Sequence, residues 1–599
     1  MCKFEGRASA PSLFILFAGL SLLAASLFTD RWYQWIGVAL LALASAPWRS
    51  LPANLLGLVT VSYCAWQLVN AVFVTPVYAA EGIYQPLMLL GAFAAFAALG
   101  RDRVVELFGA GVALVSALVL LGLLQHFFSI WNLDLAVWRL QDNPVRAAAT
   151  FVTPNSFATV INMFLVPLAG LYVIGGSKRH LVILLWLFAG LVATQSRGGM
   201  LACLAALAFV AILLGSPALQ QGSKRILHLL MGWIAVWIVV VSAGTLVVPG
   251  VPGDTARALA TAPWLGRGMV ERPEIYAATL DLIREHPVAG AGANMFFPLF
   301  EVVKPESFRD SEYFYAHNDY LQVWLEFGAT GIALLLLLAT ASLVFALRTH
   351  RRAPEDSIPL VCGAALAACF AHAVVDFPLY IPFILMLVGA YLGALAAHTG
   401  GRLPALAARF ADRALDVVSP PIRWALVLAA LTWLAQPMLA EMAVLRSIML
   451  LARGEARDGI YWQSVARRLE PRHPAHYWAE ATIWREQAIL TRNPLLAEQA
   501  DALFAEGARV NRYDVANLLG RVNLHRRHPE LLKNAAPRAE ILAWAERAAT
   551  LRPQSLTVQA ELARTLAYGG KRDLARAKAR GLLEQHPNSE FARRLAAEF

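Results

Sequence analysis

The stretch AHNDYLQVWLEFGATG, residues 316–331, gathers His317, Asn318, Asp319, Gln322 and Glu326 just ahead of the apolar run ALLLLLATASLVFAL. Ionisable groups at membrane depth are expensive, so they line a cavity or serve a site. A histidine titrates near neutrality and can take the proton of a hydroxyl. Arginines stand isolated elsewhere: Arg146 in NPVRAAATFVTPN, Arg197 in TQSRGG, and Arg267, Arg272 and Arg284 in the polar stretch 248–320. An arginine fork donates paired hydrogen bonds to a diphosphate and keeps its charge. In a water-poor cavity it also stabilises negative charge on a departing diphosphate. The chemistry these types permit is transfer from a carrier activated beforehand, with His317 as general base on an acceptor hydroxyl. A histidine at a helix start can instead cap it, and interface arginines commonly snorkel, but four sequence-distant polar features on one face favour a cationic site. Asp376, in HAVVDFPLY, can orient His317 or pair with an arginine, and the sequence leaves both open.

These groups need elements to hold them. On a helix Asn318, Gln322 and Glu326 recur at every fourth position and form one polar stripe. Glu326 is the member best suited to bonding between helices, and Gly328 and Gly331 permit close helix contact below it. The chain has 599 residues, 58% of them hydrophobic and 15% charged, which reads as a polytopic membrane protein. The expected fold is all-α, with about thirteen transmembrane helices across residues 1–440, counted by hydrophobic runs of spanning length. The first two lie near 11–28 and 33–47. Residues 441–599 are polar, alanine-rich and amphipathic, and form a soluble helical repeat tail. Pro553 and Pro587 lie 34 residues apart (587 − 553), the period of a tetratricopeptide repeat. The tail serves as a stabilising cap or as a surface for an acceptor or protein partner.

Net charge is +10, but Lys and Arg cluster in alternate loops, as in PWRS, GRDR, GSKRH, GSKR and RTHRRAP. This is the positive-inside pattern and argues against nucleic acid as a partner. It places the segment 248–320, the arginines, His317, Asp376 and the tail on the outer side. Four of the five cysteines, Cys64, Cys203, Cys362 and Cys369, fall within apolar runs, and no metal motif or disulfide framework is expected.

RAAATFVTPNSFA, TQSRGGM, ERPEIYAATLDLIREHPVAGAGANMF, AHNDYLQVWLEFGATG and HAVVDFPL together resemble the bacterial O-antigen ligase and O-antigen polymerase superfamily, over roughly Arg146 to Gly389. The resemblance implies a GT-C-like helical fold and a bacterial inner-membrane location with a periplasmic site. It implies transfer of a glycan from undecaprenyl diphosphate, with no cofactor and no required metal. It also implies His317 as catalytic base and Arg197 and Arg272 as diphosphate-binding arginines, with Arg146 and Asn155 as weaker carry-overs. Asn318 and Asp376 complete the candidate substrate-binding set. The acceptor it implies is lipid A core, a growing glycan or a protein hydroxyl. The long tail sets the chain apart from the shorter ligases, so protein O-glycosylation is the alternative enzyme reading. A polysaccharide flippase or a membrane-anchored scaffold are readings of other classes.

Overall fold

The computed structural model describes residues 54–75, 79–99, 101–128, 146–151, 153–247, 267–309, 312–398 and 420–599. Among them are twenty-one α-helices and no strand. In chain order they are α1 (Leu55–Phe73), α2 (Ala79–Ala97), α3 (Arg101–Phe128), α4 (Pro154–Gly175), α5 (Lys178–Ala193), α6 (Arg197–Gln221), α7 (Ser223–Val247), α8 (Arg267–Glu285), α9 (Phe296–Val303), α10 (Asp319–Arg352), α11 (Ser357–His372), α12 (Pro382–His398) and α13 (Pro420–Ala452). The tail follows as α14 (Ala456–Leu469), α15 (Pro474–Thr491), α16 (Pro494–Val510), α17 (Val515–Arg527), α18 (Arg538–Leu551), α19 (Leu556–Tyr568), α20 (Arg572–Gln585) and α21 (Glu590–Ala597).

Seven of the described helices are long and apolar enough to cross a membrane, and three shorter ones are apolar. The protein is a multi-pass membrane protein. The spans expected near 11–28 and 33–47 lie outside the described residues, and each of the others coincides with one of α1–α7 or α10–α13.

The chain divides into two compact units. The first comprises Met1–Val69, Gly82–Tyr276 and Ala316–Leu431, and the second Asn70–Glu81, Ala277–Tyr315 and Thr432–Phe599. In the first unit α4, α6 and α11 pack against one another, α10 packs on α11 and α6, α12 lies beside α11, and α3 lies against α5. Local sequence sets where these helices begin. Thr153 caps α4 by accepting from Ser156 N at 3.1 Å, with Pro154 in the first turn. Ser196 caps α6 by accepting from Gly199 N at 3.1 Å. Such caps satisfy amides that the helix itself leaves without a partner.

The apolar run alone places the α10 span near 327–347, but the helix starts at Asp319 because Asn318 caps it, accepting from Leu321 N at 3.1 Å. Gly328 then takes φ 68° and ψ −170°, breaking the helical path. Only glycine adopts that backbone without strain. The carbonyl of Phe327, released by the break, accepts from Trp66 Nε1 at 2.8 Å. Gly328 is therefore a joint in the backbone, a role beyond the close contact expected of it.

Gly389 and Gly393, one turn apart on α12, lie directly on the backbone of α2. A Cβ added at Gly389 would collide with the carbonyl oxygen of Leu89, and one at Gly393 with that of Phe93. Small residues at such a seam let two membrane helices meet backbone to backbone.

In the second unit, α14 to α21 pack each on the next, as expected of a helical solenoid. α18 ends just before Pro553 and α20 just before Pro587. Phe504, Leu524, Val522, Ile541 and Ala545 are buried between the pairs. The segment Ala277–Tyr315 belongs to this unit, and its helix α9 packs on α18.

The α2–α12 seam yields a stability prediction. Gly393→Ala should lower the thermal unfolding midpoint in detergent, by overpacking worth about 1–3 kcal/mol. Gly109→Ala, where the added methyl meets nothing within 4 Å, should be neutral or slightly stabilising. Equal melting of the two variants would show that the seam has room to spare.

Candidate functional site

The site is assembled from helix termini and connections in the first unit. In the last turn of α3, Gln125 clamps the segment that follows Arg146: its Oε1 accepts from Ala148 N at 3.2 Å and Ala149 N at 2.8 Å, and its Nε2 donates to Ala149 O at 2.8 Å. Ala147 N donates to Ala193 O at 2.9 Å. Arg146 itself donates from Nε to Thr194 O at 3.0 Å and from Nη2 to Asn155 Oδ1 at 3.1 Å. Arg146 and Asn155 are thereby one hydrogen-bonded pair beside the start of α6, where Arg197 is the first residue.

His317 lies in the turn before α10. Its Nδ1 is 3.1 Å from Asp376 Oδ1, and its carbonyl accepts from Tyr276 Oη at 2.8 Å. Its ring meets the edge of Phe377 at a centroid distance of 5.1 Å. A carboxylate on Nδ1 holds the neutral imidazole with its proton there, which puts the basic lone pair on Nε2. The backbone of His317 is left-handed, φ 52°, as is that of Gln195 at φ 52°, just before the Arg197 helix. Such strained non-glycine residues persist only where surrounding structure fixes them, and they concentrate at functional sites.

Asp376 is 3% exposed. Its Oδ2 is 4.0 Å from His372 Nε2, and His372 Nδ1 is 2.6 Å from Thr159 Oγ1. Burial raises the Asp376 pKa. The His317 hydrogen bond and the charges of His317, His372 and Arg272 more than reverse that, leaving it below the usual carboxylate value. Arg146 is drawn down to about 10, first by burial and then by the charges of Arg197 and Arg272, against the pull of Asp376. It stays a cation at neutral pH. Tyr276 is raised by burial and by Asp376, against the lowering effect of Arg272 one turn earlier in α8. Arg146, Arg197, Arg272, His317 and Asp376 thus act on one another electrostatically, as one cluster.

The remaining polar residues of the stripe have structural partners. Asn318 is the cap of α10. Gln322 accepts from Ala316 N at 2.9 Å and donates to Glu326 at 3.3 Å, and Glu326 accepts from Tyr380 Oη at 2.8 Å. Asp319 takes the amide of Leu379 at 2.8 Å. Arg284, 77% exposed at its side chain and paired with Asp281, lies on a solvated helix face in the second unit. Among the described residues no group of three or more His, Cys, Asp or Glu side chains could hold a metal.

Sequence reading assigned no role to His372, Thr159 or Tyr276. Two of them carry a signal in their spacing: Tyr276 follows Arg272 by four residues, and His372 precedes Asp376 by four. Thr159 carries none, since its contact with His372 spans 213 residues.

Comparison with known proteins bears on the middle of the chain. Residues 182–336 match the O-antigen ligase family. The ligase-like segment contains Arg197, Arg272, His317 and Asn318, whereas Arg146, Asn155 and Asp376 flank it. The match supports an O-antigen ligase-type, glycosyltransferase-like activity in general terms. No curated protein matches the sequence. Among solved structures, the crystal structure of yeast Tom70 aligns over 83% of this chain and 95% of its own, at 12% identity and a TM-score of 0.19.

The depressed Asp376 pKa sets a pH dependence. A group whose folded-state pKa lies below its unfolded value stabilises the fold above the ordinary carboxylate pKa of about 3.9. That contribution disappears as pH falls through the folded value. Asp376→Asn should therefore unfold earlier than wild type at neutral pH, and the gap should close as pH falls below about 4. Thermal unfolding across a pH series checks this. A gap independent of pH would mean the carboxylate is not held by the charges around it.

Proposed function

We propose that the chain transfers a glycan from an undecaprenyl-diphosphate carrier to an acceptor hydroxyl at the outer face of the bacterial inner membrane, as an O-antigen ligase or polymerase does. The observation that carries this reading is the His317–Asp376 pair, with the charges of Arg272 and Arg146 reaching Asp376 and that of Arg197 reaching Arg146. A base oriented by a buried carboxylate suits removal of a hydroxyl proton. Cations gathered beside it suit a leaving group that departs as an anion.

In this mechanism His317 Nε2 takes the proton of the acceptor hydroxyl, and the acceptor oxygen forms a bond to the anomeric carbon. The bond from that carbon to the carrier's phosphate oxygen breaks, and its electron pair leaves with the diphosphate. Arg197 and Arg272 hold the diphosphate and stabilise the charge it gains. Asp376 keeps the imidazole in the required tautomer and stabilises the imidazolium that forms. Arg146 and Asn155 set the entrance to the Arg197 helix. Lipid A core, a growing glycan or a protein hydroxyl can serve as acceptor on these terms. A flippase would need the cations but no base.

The fold supports one shared side for the loop and tail, and the positive-inside pattern makes that side the outer one in this reading. The segment Ala277–Tyr315, which lies between membrane helices, shares a compact unit with the tail from Thr432 onward. Two regions that pack together share one side of the bilayer. Single cysteines introduced at Ser307 and at Gln554 should therefore both be modified in whole spheroplasts by a membrane-impermeant thiol reagent, in a background where the native cysteines are replaced. Protection of both would place the loop and tail in the cytoplasm and end this reading.

The chemistry is tested by transfer assays with purified protein. His317→Ala should reduce turnover by about a hundredfold or more at unchanged protein level. Arg272→Lys and Arg197→Lys keep the charge but lose the paired donors, so both should be substantially impaired, whereas Arg284→Lys should be near wild type. Transfer at the normal rate by His317→Ala would remove the histidine from the mechanism and favour a non-enzymatic role.

A further inference from the structure

The second unit carries a half-open cavity of about 480 Å³ that the transfer mechanism does not use. Its walls come from the segment around α9, from the turn that leads into α17, and from the turn that leads into α19. That volume lies within the range of about 300–1,000 Å³ typical of small-molecule sites.

The lining mixes opposite charges deep in the wall. Lys304 and Glu301 are both buried and form an ion pair at 3.0 Å. Arg552 Nη1 lies 3.8 Å from the other oxygen of Glu301, and its guanidinium stacks on the Phe297 ring at 5.0 Å from the centroid. Arg309 donates to Gln585 O and pairs with Glu306, but its Nε is buried without a hydrogen-bond partner. Glu312 and Asp514 add two carboxylates, so the lining holds three cations and three anions. Tyr513, Val515, Leu556 and Val558 supply apolar and aromatic surface.

This balance discriminates among ligands. A simple anion needs donors only, and a cation needs acceptors only. A sugar carries hydroxyls that both donate and accept, together with C–H faces that pack on apolar and aromatic side chains. Buried charged groups already held in ion pairs are rigid, and rigid polar groups give orientation at little entropic cost.

From this geometry we infer that the cavity between α9 and the α16–α17 and α18–α19 turns is a glycan-binding site that takes one or two sugar units. Its use in holding an acceptor or product glycan rests on the transfer function proposed above, but binding itself does not.

The test uses the full chain in lipid nanodiscs, applied to an array of bacterial surface oligosaccharides of one to six units, with neutral, amino-sugar and uronic-acid members and with peptides printed beside them. Wild type should be retained on at least one oligosaccharide. Ala516→Trp, which fills the cavity from an exposed lining position, should lose at least tenfold in retention. Gln554→Trp fills the same cavity from the α18–α19 turn and serves if the first variant melts early. The inference is overturned if no oligosaccharide is retained, if peptides alone are retained, or if the tryptophan variants bind as wild type does. An array that stays silent while transfer proceeds sinks the inference alone. Retention with no transfer activity sinks the proposed function and leaves the site standing.

Discussion

A carboxylate as deeply buried as Asp376 cannot rely on water, and the first unit is organised around supplying what water would have given. His317 bonds to one oxygen and His372 faces the other, while the charge of Arg272 reaches the same group. The backbone is tied in as well: Asp319 N donates to Ala373 O at 2.9 Å and to Asp376 O at 3.2 Å, and Asp319 in turn accepts from Leu379 N. The turn after α11 and the start of α10 are thus one hydrogen-bonded block. Removing a partner from a buried charge is far more damaging than never having built the pair. This explains why the left-handed His317 backbone is held in place.

The second unit gives the segment Ala277–Tyr315 a framework of its own. The residues from Ala277 to Tyr315 are long for a connection, and a connection of that length needs its own packing to be ordered. The buried aromatic rings of α9, the Glu301–Lys304 pair and the contact with α18 provide it.

Much of this was legible in the sequence because it depends on local pattern. Hydrophobic runs announce helices, and Pro553 and Pro587 announce the repeat. The polar stripe from Gln322 to Glu326 shows its spacing directly, and Glu326 does bond across to Tyr380. What stayed hidden depends on backbone conformation or on distant pairing. No residue count reveals that Gly328 breaks α10, because a glycine in an apolar helix reads equally well as a close-packing residue. Nor could the sequence choose between a histidine and an arginine for Asp376, since the choice is made by how two turns 59 residues apart are brought together. Thr159 was invisible for the same reason.

The joint at Gly328 has a mechanical meaning. α10 contains 34 residues, and an unbroken helix of that length would be about 51 Å long, well beyond a hydrocarbon core of about 30 Å. Such a rod would have to tilt, and its tilt would change with the lipids around it. The break divides it into a short upper piece, Asp319–Phe327, bonded into the Asp376 block, and a lower rod of about 36 Å that suits a bilayer with modest tilt. The lower rod can follow the thickness of the membrane while the upper piece keeps its registration. The break thus separates the direction of the piece that carries the Asp376 block from that of the membrane-spanning rod.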